Sequence, residues 1–146
     1  ESDKYQYKLK WYAALATMVR AELARYPQLA VLGDFNVAPE DRDVHDPMVW
    51  NDDSILTSTA ERAALKRLLD LGLHDAYRLH HSEGGFFSWW DYRQAGFRRN
   101  LGLRIDLTLI SDALREKANA ADIDRTPRTW ERPSDHAPVW VGIETE

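Results

Sequence analysis

Asp34 and Asn36 close the run Val31-Leu32-Gly33-Asp34-Phe35-Asn36, which sets a carboxylate and an amide two residues apart where a buried strand should end. A second group, Asp135-His136, lies between Pro133 and Pro138, just ahead of the apolar run Val139-Trp140-Val141. A third acid interrupts Arg104-Ile105-Asp106-Leu107-Thr108-Leu109-Ile110. Carboxylates inside apolar runs are costly unless they find partners, so acids in such places point to a shared task. Three strand-associated acids with one asparagine and one histidine suit metal-assisted hydrolysis of a phosphate ester. The carboxylates would hold a hard cation and manage protons, and the amide would donate a hydrogen bond without competing for the ion. The chain has no cysteine, which leaves oxygen and imidazole as metal donors and favours Mg²⁺ or Mn²⁺ over structural zinc.

These side chains need a frame, and 146 residues are enough for one domain with its own core. Ser2 or Asp3 can cap a helix running to about Tyr26, with Leu9, Tyr12, Ala13, Ala16, Val19 and Leu23 at helical spacing and Pro27 as its stop. A strand from Leu29 to Leu32 follows at once. Residues 37–56 carry two prolines and several aspartates with no period and read as a long loop, a kind of segment that is usually functional. Ser58-Thr59-Ala60-Glu61 has capping-box form and opens a second helix through about Leu71, closed by Gly72. Residues 74–81 fit helix and strand equally. Strands are expected over 86–92, 103–110, 121–125 and 139–143, with a helical turn near 112–117. That order predicts an α/β layer with a mixed, largely antiparallel sheet.

The formal net charge of −5 argues against a nonspecific nucleic-acid binder. Distribution qualifies this, because Arg93, Arg98, Arg99 and Arg104 crowd among Trp89, Trp90, Tyr92 and Phe97. Such a cluster can track phosphates while ring faces meet a base or sugar, or it can be a hairpin with solvated arginines. His45, His74, His80 and His81 have no carboxylate at metal-ligand spacing and read as structural or surface histidines. No apolar stretch approaches the roughly 20 residues of a membrane span, and no signal sequence opens the chain, so the cytosol is the expected compartment.

Four ordered motifs carry a resemblance. Gly33-Asp34-Phe35-Asn36-Val37-Ala38-Pro39, Ser88-Trp89-Trp90-Asp91-Tyr92-Arg93, Asn100-Leu101-Gly102-Leu103-Arg104-Ile105-Asp106 and Pro133-Ser134-Asp135-His136-Ala137-Pro138-Val139 closely resemble the exodeoxyribonuclease III family of AP endonucleases. That family belongs to the endonuclease/exonuclease/phosphatase superfamily. The resemblance spans the whole chain but matches only the family's second half, so it implies one half of a four-layer α/β sandwich with helices on the outer face of its sheet. The half bearing the family's principal metal-binding Glu is missing, and the chain opens directly into a helix, as though in mid-domain.

What the resemblance implies for the site follows position by position. Asp34 would handle the proton of the attacking water or of the leaving oxygen, and Asn36 would hydrogen-bond the phosphate or nucleophile. Asp106 would orient His136, which acts on the water or the scissile phosphate, and Asp135 would be a metal ligand. The general base stays open between Asp34 and His136. Trp89, Leu103 and Ile105 would form an apolar pocket for a flipped-out abasic sugar, with Arg104 and Asn100 as further substrate contacts. On the residues alone, Trp89 and Ile105 fit a core as well. The implied activity is Mg²⁺- or Mn²⁺-dependent cleavage of double-stranded DNA at abasic sites and 3′ ends, within DNA repair. Two other readings stand beside it: a superfamily phosphatase acting on a lipid or inositol phosphate, and a noncatalytic fragment that associates with the missing half or with itself. By itself the fragment is expected to be inactive.

Overall fold

The computed structural model describes residues 2–145. Ser2 accepts the Tyr5 N–H and starts α1 (Asp3–Arg25), which ends at Tyr26 before Pro27, as the helical spacing predicts. β1 (Ala30–Asp34) follows, and residues 35–58 form a long loop with one 3₁₀ turn at Asp41–Asp43. The capping box at Ser58 and Glu61 opens α2 (Thr59–Leu69), and Gly72, in a left-handed conformation at φ 111°, makes the turn after it. The ambiguous stretch resolves into both options: β2 (Leu73–Asp75) passes directly into α3 (Ala76–His80).

The strand expected over 86–92 is reduced to β3 (Trp89–Trp90), and the one expected over 103–110 is divided into β4 (Gly102–Leu103) and β5 (Asp106–Ser111). Arg104 and Ile105 between them pair with no strand: the Arg104 N–H donates to the Asp43 carbonyl and the Ile105 N–H to the Ser88 hydroxyl. Then come α4 (Asp112–Arg115), β6 (Ala118–Ile123), which begins three residues earlier than the sequence pattern indicated, and β7 (Val139–Ile143).

Every strand pairing among the described residues is antiparallel, in three small ladders: β1-β5-β2, β3-β4 and β6-β7. β5 is the axis of the molecule. On one side Leu107 and Leu109 pack with Tyr12 and Val19 of α1 and Leu65 and Leu68 of α2. On the other, Ile110 packs with Ala76, Leu114 and the β6-β7 hairpin through Ala118 and Ala121. β1 differs from the buried strand expected of it. It lies at the edge of its ladder, and Leu32 on it is 49% exposed.

Candidate active site

Asp34 ends β1 directly opposite Asp106, the first residue of β5, so the register of one antiparallel pair brings two carboxylates together. The third group arrives on the loop before β7, where the His136 backbone bridges to Trp89 and the Ala137 N–H donates to the Ser88 carbonyl at 2.7 Å. His136 Nδ1 then lies 2.8 Å from Asp106 Oδ2. An ionised carboxylate only accepts, so Nδ1 carries the hydrogen and Nε2 is turned outward. Nε2 faces Asp34 Oδ2 at 3.6 Å and Asp135 Oδ1 at 3.9 Å. One ligand atom from each of Asp34, Asp106 and His136 falls within 4.8 Å of the others.

Electrostatics tie the three together. The hydrogen bond to Asp106, reinforced by the charges of Asp106, Asp34 and Asp135, raises the His136 pKa despite partial burial. Asp34 is raised as well, by burial first and by the Asp106 charge second, against a hydrogen bond from the Asn36 N–H at 2.9 Å and the charge of His136. The site therefore retains protons more readily than its isolated groups would.

Asn36 is exposed beside Asp34 in a left-handed conformation at φ 54°, which asparagine tolerates better than most residues. Three side chains hold that turn. Lys8 of α1 donates to the Asn36 carbonyl and pairs with Glu61, which is fully buried, while Tyr12 donates to the Phe35 carbonyl. Sequence reading found Glu61 only as a capping residue. Nothing in the sequence showed that its carboxylate would also anchor a lysine from another helix.

The remaining expected site residues divide. Asp135 stands at the rim: its Oδ2 accepts the Trp89 indole N–H at 3.0 Å, while Oδ1 points toward His136. Trp89, Leu103 and Ile105 do form one apolar cluster, together with Ala38 and Val44, but of these three Leu103 and Ile105 are sealed inside it and Trp89 alone is partly exposed. Arg104 needs correction. Its guanidinium is 1% exposed and committed to Asp43 and to both oxygens of Asp75, so it is a structural ion pair and no phosphate contact. Asn100 also serves the fold, accepting from the Trp90 indole at 3.0 Å and donating to the Gly85 carbonyl at 3.1 Å. Arg98 and Arg99 are exposed, and Arg93 is exposed but paired with Asp91. His45, His80 and His81 meet backbone carbonyls, and His74 pairs with Asp112, away from the site.

Residues 3–136 match the Endonuclease/Exonuclease/phosphatase family. The chain belongs to that family. Exodeoxyribonuclease III of Haemophilus influenzae is 37% identical over 144 residues, covering 94% of this chain and 54% of that protein. Among solved structures, the family fold is matched by a 3′ phosphatase from Neisseria bound to product DNA hairpin. It has a TM-score of 0.96 and 46% identity and covers 99% of this chain and 56% of that one. An AP endonuclease from Archaeoglobus fulgidus has a TM-score of 0.92 and 34% identity over the same shares. The chain thus spans about half the length of the family members it matches, and the α/β architecture expected from the motifs is theirs.

Proposed function

We propose that this chain is the C-terminal half of a DNA repair nuclease that hydrolyses phosphodiesters at abasic sites and 3′ ends. The observation that carries the reading is the Asp34–His136–Asp106 cluster at an open rim beside Trp89. Its support outside this chain is a relative bound to product DNA and a neighbour that is an AP endonuclease.

In this reading Asp106 holds His136 in one tautomer, so that Nε2 always faces the reacting phosphate. The raised pKa of His136 keeps a proton available there for a phosphate or leaving oxygen, and Asp34, whose Oδ2 lies 3.6 Å from Nε2, takes or returns a proton beside it. The Asn36 amide, carried on its rigid turn, donates to a phosphate oxygen. The donor set is oxygen-rich and lacks thiolate, which fits Mg²⁺ or Mn²⁺. Asp135 would help hold the ion, which would neutralise charge on the phosphate and the departing oxygen.

The matched relatives are nearly twice this chain's length, so residues beyond it complete the site, and the isolated chain has little or no activity. Leu32 on β1 and Trp140 on β7, 49% and 45% exposed, are apolar positions that such residues, or a second copy, would cover. The test is incision of an abasic duplex oligonucleotide with Mg²⁺, by the full-length parent and by the chain alone. Activity in the parent that disappears with His136→Ala or Asp34→Asn supports the reading. Parent-like turnover by the isolated chain, or an active parent indifferent to both substitutions, overturns it.

A further inference from the structure

We propose that Ser88 is a positioning residue for the Asp106–His136 pair, its buried hydroxyl fixing the kink that turns the Asp106 carboxylate toward the imidazole. Ser88 is fully buried, and its Oγ accepts two consecutive backbone N–H groups, those of Ile105 and Asp106, each at 3.0 Å. In a regular strand successive N–H groups point to opposite sides and cannot share one acceptor. Convergence on a single oxygen is the mark of a bulge, and bulges re-aim side chains next to sites. Here the acceptor is a side chain, so the kink depends on residue 88 itself.

The same residue also locates the other partner. Its N–H donates to the Leu103 carbonyl at 3.0 Å and its carbonyl accepts the Ala137 N–H at 2.7 Å. Ser88 therefore touches the segment before Asp106 and the segment after His136 at once. Its backbone would hold the two segments together with any residue at 88. Only the hydroxyl sets the turn between Arg104, locked into its buried ion pairs, and Asp106, presented to the rim.

A set of variants separates the oxygen from the shape. Ser88→Ala removes the hydroxyl, and Ser88→Thr and Ser88→Val add matching bulk with and without it. In the full-length parent, ¹⁵N-edited NMR of His136 reads the tautomer and the Nδ1 proton bound to Asp106. Wild type and Ser88→Thr should show a single Nδ1–H tautomer, whereas Ser88→Ala and Ser88→Val should show a mixture with that proton lost. The kinetic half rests on the nuclease reading: in the parent, the two oxygen-free variants should lose roughly 10²-fold in kcat with KM nearly unchanged, and Ser88→Thr should restore it. If Thr and Val behave alike in the tautomer measurement, Ser88 is not the positioning device. If Val unfolds where Thr does not, the oxygen is a folding requirement and the positioning role also falls. An inactive parent with the expected tautomer pattern sinks the nuclease reading and leaves Ser88 standing.

Discussion

Two clusters of acids and bases lie two residues apart on the same stretch of chain, and they have opposite fates. Around Arg104, the groups are sealed: Asp43 and Arg104 are essentially inaccessible, Asp43 also meets Arg78, and Asp75 receives Arg104 through both oxygens. Burial pulls the Arg104 pKa down, but Asp75 and Asp43 outweigh it and the net direction is up. Around Asp106 the side chains are only partly covered, 12% exposed for Asp106, 31% for His136 and 38% for Asp34, and several of their atoms face open space. Residue type does not distinguish the two clusters. What distinguishes them is enclosure: groups closed off from solvent against their ion partners hold the fold, and a group that keeps an atom at the surface can meet a substrate.

Substitutions on the two sides should therefore fail in different assays. His136→Ala in the parent should lower turnover by roughly 10²–10⁴-fold, the usual worth of a positioned acid or base, while thermal unfolding shifts little. Arg104→Ala should do the reverse, since it takes the guanidinium away from both Asp75 oxygens and leaves Asp43 with Arg78 as its remaining cation, and breaking a buried pair costs about 3–5 kcal/mol. Urea titration of the isolated chain measures that loss. A stable Arg104→Ala variant with lost activity would erase the division between the clusters and return Arg104 to the substrate.

Sequence reading reached the rim far better than the sealed cluster, for a physical reason. Asp34, Asn36, Asp106, Asp135 and His136 each sit in a short motif whose neighbours carry part of the message, and strand register then brings Asp34 opposite Asp106. Arg104 lies inside one of those motifs too, but its partners Asp43 and Asp75 come from a proline-bearing loop and from the β2–α3 junction, 61 and 29 residues away. No local period announces such a meeting. The same limit explains β3 and β5. Alternation of apolar residues cannot show a kink set by a hydroxyl 17 residues upstream, so a single strand was expected where the chain turns at Arg104 and Ile105. Helices α1 and α2 were read to within about two residues because caps and spacing are local.

The rim should also reveal itself through pH. The hydrogen bond from His136 to Asp106 is the main cause of the raised histidine pKa, so Asp106→Asn should bring that pKa down toward the ordinary 6.5, as read by NMR titration of the imidazole. A group whose folded pKa is raised stabilises the fold fully below its unfolded value and loses that contribution as pH rises through the folded one. The advantage of wild type over His136→Ala in thermal unfolding should accordingly be largest at mildly acidic pH and shrink toward alkaline pH. Asp34, also raised, adds to stability in the same sense, its contribution present at low pH and fading as pH climbs through its folded pKa. An advantage that grows with pH would mean that the imidazole is held neutral, contrary to its partners.

Asp135 lies between the two regimes, one oxygen spent on the Trp89 indole and the other directed at the rim, and it gives the smallest and finest test. Trp89→Phe keeps most of the apolar contact with the Leu103 and Ile105 cluster but removes the N–H. Loss of one hydrogen bond to a partly exposed carboxylate should cost about 1 kcal/mol in urea unfolding. Freeing Oδ2 should not create a better site. It should let the carboxylate rotate, and the Mg²⁺ concentration needed for half-maximal activity in the parent should rise by roughly tenfold, the lower end of what a lost orienting partner costs a metal site. An unchanged Mg²⁺ requirement would show that Asp135 needs no indole to hold its direction, and would place it with Asp34, whose carboxylate is held by the backbone N–H of Asn36.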